Sequence, residues 1–133
     1  MKKNQLILTI LIITSVFQGL NAQSAKLDSM QNLLDKHPQA DTVRVNLLNE
    51  IAYSSQGSEP EKSLNYAEEA LELANKLNFK KGISVSYINI GIVYKDQGNY
   101  PLALEYYFKS LKIKEELGDK KGIAMSYNNI GSI

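Results

Sequence analysis

The chain repeats itself with a period of 40 residues. Lys80-Lys81-Gly82-Ile83-Ser84-Val85-Ser86-Tyr87-Ile88-Asn89-Ile90-Gly91 returns as Lys120-Lys121-Gly122-Ile123-Ala124-Met125-Ser126-Tyr127-Asn128-Asn129-Ile130-Gly131, identical at nine of twelve positions. A unit of that size cannot bury an apolar face alone, so repetition at roughly 20 to 50 residues marks a solenoid whose units are stabilised by their neighbours. Such an architecture presents extended surface rather than an enclosed cleft, which favours binding over catalysis.

Helical periodicity recurs along the chain and no strand pattern interrupts it. Leu27, Met30, Leu33 and Leu34 fall at helical spacing between Ala25 and Lys36, and His37-Pro38 ends that segment because the residue before proline is pushed out of the helical region. Asp41 and Thr42 offer an N-cap for a second helix with Val43, Leu47, Leu48 and Ile51 on its apolar side, closed by Gln56-Gly57. Ser58-Glu59-Pro60-Glu61 reads as a capping box. It opens a helix with Leu64, Ala67, Leu71, Ala74 and Leu77 on one stripe and Glu61, Glu68, Glu69 and Glu72 on the other. Asn78 and Gly118 are suited to the left-handed residue that closes a helix. Between them the pattern predicts helices over about Lys81 to Gln97 and Tyr100 to Leu117, joined by Gly98-Asn99, and Asp119 caps a last helix still in progress at Ile133.

The N-terminus reads as an export signal: Lys2-Lys3, a 12-residue apolar stretch from Leu6 to Phe17 broken only by Thr9, Thr14 and Ser15, then Leu20-Asn21-Ala22 with cleavage expected after Ala22. The alternative is an uncleaved membrane anchor, which needs about 20 apolar residues. The expected organisation is residues 1–22 as signal peptide, 23–40 as capping helix and linker, and 41–133 as the repeat array, in an exported, periplasmic or otherwise extracytoplasmic protein.

Within the best-formed unit the informative positions are Tyr87, Ile90, Gly91, Tyr94, Gly98, Tyr100, Ala103, Tyr107 and Ser110. This pattern resembles the tetratricopeptide repeat, with a large residue, an apolar-Gly pair and a Tyr on the first helix and small, aromatic and small positions on the second. The resemblance implies an all-α solenoid of antiparallel helix pairs. The 40-residue period is similar to that of the longer repeats of kinesin light chain and G-protein signalling modulators. An independent physical argument agrees: glycine inside a helix costs ~1 kcal/mol relative to alanine, so Gly91 and Gly131 imply close approach by another helix, and Tyr107 is the natural visitor. Tyr87, Tyr94, Tyr100 and Tyr127 are likewise read as packing residues. In the first unit, aligning Asn49 with Asn89 and Asn129 places Ile51 on the glycine position, whereas a one-residue shorter turn places Ala52 there and Ser55 on the tyrosine position; the second register is preferred because a small residue belongs at that contact. Ser63, Ala67 and Ala70 align with Ala103, Tyr107 and Ser110.

Chemistry is largely excluded. The formal net charge is +1, and loss of Lys2 and Lys3 with the signal leaves 13 basic against 14 acidic residues, which provides no basic stripe for nucleic acid. Cysteine is absent, which removes disulfides and thiolate metal sites. His37 is the only histidine, placed in a linker and read as solvated, so neither a triad nor a metal site can be assembled, and no cofactor is implied. Lys80-Lys81 and Lys120-Lys121 lie just past helix C-termini, where cations meet the macrodipole. One feature stays open: Asn49, Asn89 and Asn129 recur once per unit, and asparagine is a mediocre helix former. They either bridge neighbouring repeats or form a peptide-binding ladder through Asn89 and Asn129, with Val85, Ile88, Ile92, Met125 and Asn128 selecting side chains.

The sequence therefore predicts an exported module that binds a protein or peptide, is not an enzyme within these residues, and meets the membrane only through its export signal or an anchor further downstream. Tyr127, Ile130 and Ile133 lack a partner helix, which suggests a fragment. Exported arrays of this kind also resemble the sensor portion of membrane signalling proteins with a histidine kinase or nucleotide cyclase output.

Overall fold

A computed structural model describes residues 2–133, and among them every regular element is an α-helix. The helices are α1 (Lys2–Lys36), α2 (Thr42–Ser55), α3 (Pro60–Lys76), α4 (Lys80–Asp96), α5 (Tyr100–Glu116) and α6 (Lys120–Gly131). Short turns fold consecutive helices into antiparallel pairs. Each helix packs on its neighbours in sequence, and α2 also packs on α4. The pairs α2/α3 and α4/α5 are two full units, and α6 begins a third.

Three of the turns share one device. Asn78, Gly98 and Gly118 have positive φ of 51°, 77° and 65°, and the amide after each bonds back to the carbonyl five residues earlier: Phe79 to Ala74 at 2.8 Å, Asn99 to Tyr94 at 2.8 Å, Asp119 to Lys114 at 3.0 Å. This is the Schellman closure, which satisfies carbonyls that the helix end would leave unpaired. Helix starts vary more. Asp41 accepts from the Arg44 amide at 3.0 Å and Asp119 from the Gly122 amide at 2.9 Å, both as expected. The capping box does not form: Glu59 is the N-cap of α3 and makes no side-chain cap bond, while the Ser58 and Glu59 amides both turn back to the Ser55 carbonyl. The last helix stops at Gly131, with Ser132 as its C-cap, rather than running to Ile133.

The second helix of each unit buries one line of residues, all small on α3 and of mixed size on α5. On α3 the buried positions are Ser63, Ala67, Ala70 and Ala74, and on α5 their counterparts 40 residues later are Ala103, Tyr107, Ser110 and Lys114, joined by Leu111. Leu64 and Leu71, placed on the stripe by their spacing, flank this line half-buried, because only short side chains let helix axes approach closely. The Ser63 Oγ donates to the Ala52 carbonyl at 2.7 Å and Ser110 Oγ to the Ser84 carbonyl at 2.8 Å, so each contact is also tied by a hydrogen bond. In unit one Ala52 and Ala67 share a core cluster with Ile90. Leu33 and Val43, read as apolar-face residues, are instead more than half exposed.

The second half of α1 caps the array. Met30 and Leu34 are buried against Val45, Leu48, Ile51, Ala70 and Ala74, and each large apolar side chain so covered is worth ~1.5 to 3 kcal/mol. The helix does not begin at Ala25, however. It runs unbroken from Lys2, since no residue before His37-Pro38 stops it. An 18-residue window of α1 has mean hydropathy 1.6 with none of it buried, so α1 is long and apolar enough to cross a membrane. The uninterrupted apolar count understated this because the hydroxyls of Thr9, Thr14 and Ser15 bond to carbonyls of their own helix.

His37 is tied into the linker rather than solvated. Its Nε2 donates to the Asp41 carboxylate at 2.9 Å, and Arg44 donates to the His37 carbonyl at 3.1 Å and to Glu69 at 3.1 Å. The Arg44 amide, and then His37, hold the Asp41 carboxyl below the usual range.

Candidate functional site

The A-helices α2, α4 and α6 line a concave groove of about 680 Å³. Its walls include Tyr53, Val85, Ile88 and Met125, with Lys26, Lys81 and Lys114 against a single acid, Glu50. Tyr53 and Met125 are more than half exposed and Val85 is 37% exposed, so apolar surface is open to a ligand there. Among the described residues no group of acids and histidines could hold a metal ion.

Of the residues singled out from sequence, Val85, Ile88, Asn89 and Met125 meet in this groove, whereas Ile92, Asn128 and Asn129 are not among its lining residues. The asparagines carry the main correction to the ladder expectation. Asn89 is only 2% exposed, and its Nδ2 donates to the Asn49 carbonyl at 3.0 Å and to Asn49 Oδ1 at 3.1 Å. Asn49 Nδ2 in turn donates to the Gly82 carbonyl at 3.3 Å, and Ser86 Oγ donates to Asn49 Oδ1 and to Gly82, each at 3.0 Å. Both Asn89 amide hydrogens are thus used on the neighbouring repeat, and no donor is left for a peptide carbonyl. Gly82 permits this approach: a Cβ there would lie 2.7 Å from Val45 Cγ1.

The bridge is built once and then interrupted. At the next step the Gly122 carbonyl, counterpart of Gly82, accepts from Lys114 Nζ at 3.4 Å rather than from an asparagine. Ser126, counterpart of Ser86, is fully buried with no partner for its Oγ among the described residues. Lys114 occupies the position held by Ala74 in unit one and places a long side chain where a methyl group would fit, while Asn89 uses both its amide hydrogens on Asn49. Burial pushes the Lys114 pKa down, opposed by the nearby Asp119 carboxylate. In sequence Lys114 is one more residue of a charged run, and only its alignment with Ala74 could have marked it.

The contact that fixes the repeat lies behind the groove. A Cβ on Gly91 would sit 2.6 Å and 2.7 Å from the Tyr107 ring and 3.3 Å from the Ala103 carbonyl. Tyr107 is fully buried; burial, with a smaller effect of Asp96, pushes its phenol up to about 12. The glycine and its aromatic visitor are therefore both in place. A family model described as tetratricopeptide repeat matches residues 45–116, more than half of the chain.

The chain belongs to the tetratricopeptide repeat family. No curated protein matches it. A tetratricopeptide array is a scaffold for protein–protein interaction, and such domains are generally non-catalytic, which is consistent with the expectation of no enzyme here. Tyrosines divide within the array according to whether a helix covers them. Tyr87 and Tyr94 are half-buried against Tyr106, with centroids 5.8 Å apart in each pair and Lys109 Nζ 4.9 Å from the Tyr106 centroid. Tyr100 is exposed at the start of α5, and Tyr127 is 56% exposed, with no helix over it among the described residues.

Proposed function

We propose that this tetratricopeptide chain is an exported interaction module, of the long-repeat type, whose concave groove takes an extended segment of a partner protein. The observation that carries the reading is the groove itself: exposed Val85 and Met125 beside Ile88, over a floor made rigid by the Asn49–Asn89 bridge. In this arrangement the asparagines support the surface and do not touch the ligand, while apolar side chains and the Lys26 and Lys81 ammonium groups select it. The export reading rests on the Lys2-Lys3 start, the apolar run and Ala22.

Extended peptides selected from a random displayed library against the full chain test the groove. Val85→Asp and Met125→Asp should abolish binding of the selected peptides with helicity retained, and Phe108→Asp, at an exposed site outside the groove, should leave it intact. Selected peptides indifferent to both groove substitutions would defeat the reading. N-terminal sequencing of the protein from a host that exports it should begin at Gln23 or a near neighbour, and recovery of intact Met1 in the cytoplasm would end the export proposal.

A further inference from the structure

The groove wall holds a charge that the fold does not answer. Lys114 is only 8% exposed, yet its ammonium makes one long bond, to the Gly122 carbonyl at 3.4 Å, and pairs with no carboxylate among the described residues. The nearby Asp119 is engaged in capping α6, where it accepts from the Gly122 amide at 2.9 Å. The exposed Lys62, Lys76, Lys80 and Lys109, by contrast, each hold a glutamate at 2.6 to 3.4 Å. Nor does the repeat require a lysine here, since the counterpart Ala74 is buried in the apolar cluster of Val45 and Leu48. An ammonium can donate three hydrogen bonds, and a buried charge without a partner is destabilising. What is missing is an anion from outside the chain.

We propose that Lys114, assisted by Lys81, forms a carboxylate subsite in the groove, and that the segment bound there carries a glutamate or aspartate between apolar residues. The proposal rests on the groove reading above and adds the chemistry of the partner to it. Charge complementarity supports an acidic occupant: the lining sets Lys26, Lys81 and Lys114 against Glu50 alone, although the chain beyond Ala22 carries 14 acidic and 13 basic residues. The same lining includes the apolar Val85 and Met125, and shielding from water strengthens an ion pair. In an extended segment the neighbouring side chains on the same face lie about 7 Å to either side. An acid held by Lys114 therefore leaves those positions for apolar side chains that meet Val85 and Met125.

Extended peptides would be selected from a random displayed library on the full chain and, in parallel, on Lys114→Met and Lys112→Met. The second variant removes the same charge from an exposed position of α5 outside the groove. Peptides from the parent and from Lys112→Met should be enriched in glutamate or aspartate at one position, and those from Lys114→Met should not. A parent-selected peptide, synthesised with both termini blocked, would then be titrated calorimetrically. Replacing its enriched acid by the amide, or Lys114 by methionine, should each weaken binding roughly tenfold or more. The two changes together should weaken it no more than either alone, as expected of one pair. Lys81→Gln should weaken it roughly twofold to fivefold. Should Lys114→Met lose the parent's helicity by circular dichroism, the acid-to-amide peptide on the parent chain decides the matter alone. Groove-dependent peptides without acidic enrichment, or additive effects of the two changes, overturn this inference and leave the groove reading standing. Failure to select any peptide that Val85→Asp releases overturns both. Binding that requires a free terminal carboxylate in place of the side-chain acid also overturns it, and assigns Lys114 to a chain end.

Discussion

Replacing Gly91 by alanine sets two known effects against each other. Alanine in a helix interior gains ~1 kcal/mol over glycine from propensity. The added Cβ, however, would stand 2.6 Å and 2.7 Å from ring carbons of Tyr107 and 3.3 Å from the Ala103 carbonyl, where ordinary contact begins near 3.4 Å. The ring would have to retreat by most of an ångström, and it is fully buried on α5 with no solvent side to move toward. Overpacking of this kind costs ~1 to 3 kcal/mol, so the expected net effect of Gly91→Ala is a loss of ~0 to 2 kcal/mol. Gly131→Ala is the control without a packing cost, because its Cβ meets nothing within 4 Å, although as the last residue of α6 it gains less from propensity than an interior position. The two variants should therefore differ in sign or in size by up to the packing cost of ~1 to 3 kcal/mol. At roughly 4 °C per kcal/mol for a chain of this length, thermal melts followed by circular dichroism resolve it. Combining Gly91→Ala with Tyr107→Leu should recover part of the loss, as expected for residues in contact. If Gly91→Ala and Gly131→Ala raise the melting temperature equally, Tyr107 does not pack on Gly91 and the account of the repeat contact is wrong.

Tyr107→Phe should be neutral or stabilising by up to ~1 kcal/mol, since the hydroxyl it removes is buried without a partner among the described residues; chemical denaturation at pH 7 measures it. The same hydroxyl gives a signed pH dependence. The folded phenol keeps its proton up to about 12, while the unfolded one loses it near 10. The parent should thus lose stability relative to Tyr107→Phe as pH rises from about 10 to about 12, by at most ~1.4 kcal/mol per pH unit, and parallel profiles for the two proteins would contradict this. Asn89→Ala removes two hydrogen bonds to Asn49 and leaves its Oδ1 only the Ser86 hydroxyl, so it should cost ~0.5 to 1.5 kcal/mol, against little for Asn129→Ala, as read by urea unfolding. Lys114→Met keeps the buried stem and removes the ammonium, so it should stabilise by ~1 kcal/mol; a variant less stable than the parent would show that the long bond to Gly122 matters more than desolvation.

The helices were legible because periodicity, proline and the left-handed closers act locally. The sequence placed α4 over about Lys81 to Gln97 and the structure places it over Lys80–Asp96. Gly91 with Tyr107 was also legible, since a glycine that weakens a helix interior requires a visitor, whereas at Gly131 the same expectation fails because nothing among the described residues lies within 4 Å of its Cβ position. The Ser58 capping box was not, because the local pattern competes with the return of the Ser58 and Glu59 amides to Ser55, and the closure of α2 wins. Nor could spacing decide between bridge and ladder at Asn89. The same residue at the same period serves either purpose, and only the separation of α2 from α4, set by Gly82, puts Asn49 within reach. Lys114 escaped notice for a similar reason: its neighbours Lys112, Glu115 and Glu116 are exposed, and burial follows from one turn of phase.

The unbroken course of α1 constrains the timing of any processing. Peptidases take their substrates extended, in strand-like register with the cleft, whereas residues around Ala22 lie in the middle of a helix that Met30 and Leu34 anchor to the array and that Gln23 ties to the Ser54 carbonyl at 3.1 Å. On the export proposal, cleavage after Ala22 competes kinetically with helix formation and has to come first. Chains that fold before they are cut would persist as the uncut form, and cutting would leave α1 starting at Gln23 with a fresh turn of unpaired amides.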